Sequence, residues 1–461
     1  MKDNQRVVEE KIARIRAAVA LEPHDRVPVV SSGGFWPVRY AQKYTMQQAY
    51  YSVDLTAECY KQVFTRWNSW DAFNASMQSL GPGLDATGSR RYFIPGRDLP
   101  PHAEFQYPDL SLMEAHEYPE LVEDPVKFHA EKLIPRLCTR IGADDPLLQT
   151  KALAKAAIFF VQQPERVRGY AALWREQYGV PRLFQGQAFV VPMDYLADSI
   201  RGFQQGLLDI KQRPQEVAAA CEALLPFILT ACLATASTAR DFPMIFNPQH
   251  VSPFISPKDY QKVYWPTFKR MVHHVVGCGY RFWAFLEDKQ EQHLECLHDL
   301  PKGKVVAHFE STDLAVAKKA LGGRICIAGG MPAMLLARGS PQEVRDRTIS
   351  VLRLFEDEPG FIMTGTTTIP ATARPENITA WLDTVREYGA LGGATGVAAT
   401  QERTEAACAG TTMAATGQGV INTWEAVRAE FGEIKGDERV IKESWEELER
   451  LHVALLHWLM K

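Results

Sequence analysis

Glu287, His308 and Glu310 are the residues best suited by type and spacing to do chemistry together. Each sits at the end of a short apolar run: Glu287 follows RFWAFL, and His308 and Glu310 close KVVAHFE. One imidazole and two carboxylates make a donor set for a zinc ion with an open coordination position, with catalytic parts for His308 and Glu310. A metal held by such hard donors would polarise an oxygen-containing substrate. Side chains alternate along a strand, so His308 and Glu310 project to one face and Phe309 to the other. The competing reading is a His308–Glu310 pair satisfied by bonds to each other or to neighbours. Asp288 or Glu291 could replace Glu287 after a small change of register. Asp313, at an expected helix start, reads as a cap.

Other residues supply binding groups. Asn247 closes FPMIFN and His250 follows it, and both could meet a substrate, although Asn247 could equally satisfy a turn. Gly330, after ICIA, permits close approach of backbone to a ligand, as it also would in a plain turn. GTTTIP offers hydroxyls, Thr366 among them. Phe35, Trp36, Trp70, Phe73, Phe184 and Trp283 suggest an apolar, aromatic-lined pocket that takes some of them, with the rest in the core.

These groups need elements to position them. Candidate strands are 242–247, 281–287, 304–310, 325–330 and 361–366. Helical stretches at 257–276, 289–299, 313–320, 341–355 and 374–388 follow them in turn. Strand–helix alternation implies parallel strands with crossover helices. Single strands that each end on polar or glycine residues fit a (β/α)8 TIM barrel, whose strand ends converge on one mouth. Earlier in the chain, HDRVPVV, WDAFNAS and LFQGQAFVV read as strands, and residues 43–68 and 126–179 as mostly helical. SRRYFIPGRDLPPHAEFQYPDL reads as a barrel-top insertion or lid. The pattern divides the chain into an N-terminal helical segment (1–25), a barrel (26–395), and a connector with a C-terminal helical extension (396–461). The last helix carries Ile441, Trp445, Leu448, Leu455 and Leu459 on one stripe, to pack on the barrel or to meet a partner.

Composition narrows the function classes. Hydrophobic residues make up 46% of 461 residues and charged residues 23%, enough for a large core. A formal charge of -4 with no basic run argues against nucleic-acid binding. Eight scattered cysteines without CxxC spacing read as reduced thiols. ALLPFILTACLATASTA is interrupted by Pro226 and rich in small residues, so it reads as a buried helix rather than a membrane span. The expectation is a cytoplasmic protein with no nucleic-acid or membrane partner.

Several segments carry a family resemblance: DRVPV, EYPELVEDPVKF, SPFISPKDYQKVYWPTFKRMV, VVAHFESTD, GGMPAMLLARGSPQEV and GTTTIPATARPENITAWLDTVREYG. In this order they resemble the uroporphyrinogen decarboxylase superfamily of (β/α)8 barrels. The arginine-rich stretch of its decarboxylases reads SSGGFWPVRYAQKY here, with Arg39 alone, so decarboxylation is disfavoured. The other branch, zinc-dependent and corrinoid-linked methyltransferases, binds zinc through His-x-Cys and a later Cys. Here His308 to Glu310 stands in the first place and Thr367 near the second. Loss of both sulfur ligands favours an oxygen-bound methyl group over a thiol substrate. The resemblance thus implies an O-demethylase-type methyltransferase. Its zinc would lie on Glu287, His308 and Glu310. Its methyl donor, a small molecule of the methoxylated aromatic kind, would give its methyl group to the Co(I) corrinoid of a partner protein. A homodimer is a further expectation. The alternatives are a metal-independent decarboxylase and a non-catalytic barrel scaffold.

Overall fold

The structure, a computed structural model, describes residues 2–74, 79–236, 242–391 and 424–460. Five parallel strands, β3 (Met244–Gln249), β4 (Arg281–Leu286), β5 (Val305–Phe309), β6 (Cys326–Met331) and β7 (Phe361–Gly365), lie side by side in chain order. Two short parallel strands, β1 (Val30–Ser31) and β2 (Ala72–Phe73), form a separate ladder. Single contacts join the two ladders. Val29 bridges Met363 beside β7, Phe73 bridges Arg182, and the Gln185 amide donates to Met244 O at 2.9 Å. The segment 182–185 therefore occupies the position between β2 and β3, giving the eight parallel positions of a (β/α)8 barrel.

Alternation along the strands sorts the core into two shells. Val306, Cys326, Ala328 and Ile362 point inward and pack with Val30, Ala72 and Trp283. Their neighbours Val305, Ala307, Ile327 and Met363 point outward into the larger core beneath the helices. The helix Lys2–Ala20 presents Val8, Ile12, Ile15 and Val19 to the inner cluster and closes the end of the barrel where the strands begin. Crossover helices match the sequence reading to within a few residues: Leu314–Leu321, Pro341–Leu354 and Pro375–Tyr388 follow β5, β6 and β7. Asp313 caps the first of these, accepting from the amides of Ala315 and Val316. Ser340 and Glu343 form a capping box on the second.

The first half departs further from the sequence reading. LFQGQAFVV forms no continuous strand, because Gly186 takes a positive φ of 66° and turns the chain away. Its backbone still bonds to β2 and β3 at separate points. The apolar stretch around Pro226 lies in the helix Pro214–Leu233, which is long and apolar enough to cross a bilayer but is more than half buried in the protein. The last helix, Glu438–Met460, buries Val453, Ala454, Leu456 and Leu459, whereas Leu448 on the expected stripe is 64% exposed. Most of the expected connector from 396 lies outside the described residues. Six cysteines (59, 138, 221, 232, 296 and 326) are free thiols.

Candidate functional site

At the carboxyl ends of the strands lies a cavity of about 780 Å³. Its floor is aromatic: Phe184, Phe246, Trp283 and Phe285 line one part of it, and Phe35 and Phe105 another. Phe184 and Phe246 lie 4.9 Å apart between ring centroids, and Trp283 meets Phe184 edge-on at 5.5 Å. The insertion after residue 89 contributes Arg91, Tyr92, Glu104, Phe105 and Tyr107, so it forms the roof of this cavity. Of the expected aromatic residues, Phe35, Phe184 and Trp283 line the space. Trp36 packs instead against Tyr40 and Trp67, and Trp70 and Phe73 lie in the core.

The structure brings Glu287 to His250. The His250 Nε2 lies 3.3 Å from Glu287 Oε1, and Nδ1 lies 2.5 Å from Asp198 Oδ2. All three residues line the cavity. Burial opposes a charge on this imidazole, but the bonds to Asp198 and Glu287 outweigh it and raise its pKa to about 11. Asp194 secures the turn beneath. It accepts from the amides of His250 and Val251 and from the Tyr264 hydroxyl, at 3.1, 2.7 and 2.6 Å. Burial raises the pKa of this carboxyl. Asp194 and Asp198 come from Pro192–Tyr195 and the π-helical turn Leu196–Arg201, a geometry frequent at functional sites.

His308 also faces the cavity, but both its nitrogens are engaged. Nε2 lies 2.7 Å from Gly365 O, and Trp283 Nε1 donates to Nδ1 at 3.3 Å. Burial lowers its pKa to about 4, the Gly365 carbonyl opposing, so the ring is neutral at pH 7. Glu310 turns away to accept from the Asp288 amide at 2.8 Å. Asp288 has φ +48° just past β4, and the Glu310 carboxylate helps hold that left-handed turn. Glu287, His308 and Glu310 are therefore neighbours at the strand ends without sharing one focus. Among the described residues, no three His, Cys, Asp or Glu side chains are grouped to hold a metal.

The remaining expected residues divide. Asn247 is fully buried; its amide donates to Phe189 O at 2.5 Å, and its carbonyl accepts from Gln249. Gly330 has φ +107° and packs against Val351 and Met363, away from the cavity. Thr366 is not at the cavity wall, whereas Thr364, Thr367 and Thr368 are. Asp194, Asp198 and Arg91 are functional candidates that the sequence reading missed. The two acids stand four residues apart in the apolar run VVPMDYLADSI, a spacing that places both on one helical face.

For zinc, the donors divide in the same way. His308 offers no free nitrogen in this arrangement. His250 has a carboxylate behind Nδ1 and another beside Nε2, the arrangement that orients a metal-bound imidazole.

Fold and site together define a (β/α)8 barrel with a polar triad above an aromatic floor. Residues 190–388 match the family described as uroporphyrinogen decarboxylase (URO-D). The match begins just before Asp194 and runs through β3–β7. A methyltransferase from Methanosarcina mazei has a similar fold, with a TM-score of 0.54 and 13% sequence identity. The similarity covers 81% of this chain and 98% of that one. No curated protein sequence matches the chain.

Proposed function

We propose that this protein is a methyltransferase that removes a methyl group from the oxygen of a small aromatic donor and passes it to the Co(I) corrinoid of a partner protein. The observation that carries the reading is the His250–Asp198–Glu287 triad beside an aromatic-lined cavity large enough for a small-molecule donor. The shared fold with a methyltransferase supports the class of reaction. The chemistry of an aryl methyl ether supports the rest: its ring suits the aromatic floor, and its departing oxygen needs charge stabilisation. We assign the zinc position to His250 Nε2 and Glu287, with Asp198 holding the Nδ1 proton and fixing the ring. Zinc bound there supplies a Lewis acid for the ether oxygen. Phe184, Phe246, Trp283 and Phe285 exclude water and orient the ring. Neutral His308 lies in the same wall, its Nε2–H on Gly365 O, and contributes shape rather than charge.

The cavity's charge pattern disfavours decarboxylation of a polycarboxylate. Arg91 and His250 face it, against Glu104, Asp109, Asp198 and Glu287, so the walls carry more negative charge than positive. A substrate with many carboxylates would be repelled.

The test pairs metal content with turnover. Chelator-washed protein reloaded with zinc should retain about one zinc per chain, as a mononuclear site requires. His250→Ala and Glu287→Ala should lose it, and His308→Ala should keep it. With a Co(I) corrinoid protein and methoxylated aromatics, the absorbance change of corrinoid methylation should appear and should vanish in His250→Ala. Zinc retained by His250→Ala would overturn the assignment of the ligands. No methyl transfer from any methoxylated aromatic, alongside decarboxylation of a tetrapyrrole acid, would overturn the reaction.

A further inference from the structure

Arg91 is a buried cation that the proposed chemistry does not use. It is 6% exposed, yet it lines the cavity beneath the insertion. Its guanidinium makes one hydrogen bond among the described residues, from Nη2 to Ser199 Oγ at 2.9 Å. Its Nε is buried with no partner among the described residues. Among the described residues no carboxylate lies within ion-pair distance of it, whereas buried Arg14 is paired with Asp25 and Asp71, and buried Arg201 with Asp209. A guanidinium withdrawn from water without a counterion is costly, and proteins otherwise pair it. Its fork of donors matches a carboxylate in a bidentate manner.

We propose that Arg91 binds a carboxylate carried by the aromatic substrate, so that the protein selects aromatic acids over their neutral counterparts. Ser199, which holds the guanidinium, is next in the chain to Asp198, which holds His250. The anion anchor and the polar triad are thus fixed by consecutive residues of one helical turn. A single substituted ring presents its carboxylate to Arg91 and its ether oxygen to the triad, with its faces against the aromatic floor. The inference deepens the methyltransferase reading and rests on it for the identity of the second substituent. The carboxylate anchor itself is tested by binding alone.

The experiment measures calorimetric binding of 4-methoxybenzoate and of 4-methoxybenzamide to the full-length protein, without a corrinoid partner. The wild type should prefer the acid more than tenfold. Arg91→Met should reduce that preference to less than threefold, and Arg91→Lys should restore part of it. Equal affinity for the two probes, no binding of the acid by the wild type, or full preference retained in Arg91→Met would overturn the proposal. Should Arg91→Met fail to fold, Arg91→Lys and competition by unsubstituted benzoate decide: benzoate must displace the acid probe and benzamide must not. Selective binding of the acid with no methyl transfer to any corrinoid acceptor would sink the methyltransferase reading and leave the anchor standing.

Discussion

At the scale of single residues, the site depends on which partner each ionisable group finds. His250 and His308 are both imidazoles at one cavity wall, and their environments drive them in opposite directions. Two carboxylates hold His250 cationic, to about 11, whereas burial against Trp283 and a carbonyl holds His308 neutral, down to about 4. Asp198→Asn should move the His250 pKa in the metal-free protein from about 11 toward the ordinary histidine value, followed by the ring carbon shifts in an NMR titration. The same substitution should weaken zinc binding by roughly 10–100-fold, the usual cost of losing a carboxylate behind a metal-bound imidazole. An unshifted titration would remove Asp198 from this role. Glu287 was legible in the sequence because it closes an apolar run, and His250 because it follows one. Their pairing was not, because it depends on how β3 and β4 end and on a π-helical turn in which Asp198 reads as an ordinary solvated acid. Arg91 was hidden for a related reason: in SRRYFIPGRD nothing distinguishes the buried arginine from its exposed neighbours.

At the scale of elements, the barrel is held at its closed end by charge as well as by apolar packing. Asp71, fully buried just before β2, accepts from Arg14 Nη1 at 2.5 Å, from both terminal nitrogens of Arg26 at 2.9 Å, and from the Val29 amide at 2.8 Å. Arg14 belongs to the helix Lys2–Ala20, so one carboxylate ties that helix to the first two strands. Removing it would take the carboxylate from Arg26 and leave Arg14 with Asp25 alone, in a buried site. Asp71→Ala should therefore cost about 3–5 kcal/mol of unfolding free energy, read by urea denaturation. Asp71→Asn, which keeps an acceptor for the Val29 amide, should cost less. A loss below about 1 kcal/mol would show the network to be dispensable. The strands were legible in the sequence to different extents. β3–β7 are runs of five or six residues with inward and outward alternation, and their ends were placed within two residues. β1 and β2 overlap the expected strands HDRVPVV and WDAFNAS but hold only two residues each, an extent fixed by long-range contacts such as that of Asp71 with Arg26.

At the scale of the whole molecule, burial of neutral imidazoles sets the response to acid. His129 is fully buried; its Nδ1 lies 2.5 Å from Pro125 O and its Nε2 3.0 Å from the Tyr195 hydroxyl. Burial lowers its pKa to about 4, as it does for His308, and also lowers His24, His274 and His293. In the unfolded chain each titrates near 6.5, so below that pH the unfolded state binds more protons than the folded one. The stability these rings contribute is fully present above pH 6.5 and is lost as pH falls toward 4. Between pH 7 and pH 5 the loss is about 2 kcal/mol each for His129 and His308, with the other three adding in the same direction. Denaturation midpoints should therefore fall steeply from pH 6.5 to pH 5, before most carboxylates begin to protonate. A His129→Gln, His308→Gln double variant tests the origin of that limb, since glutamine preserves hydrogen-bonding capacity without titrating. Its baseline stability should be lower, but the difference between pH 7 and pH 5 should shrink by about 4 kcal/mol at most, the sum of the two contributions. An unchanged difference would place the acid response in other groups and show that these rings can accept a proton in the fold at little cost.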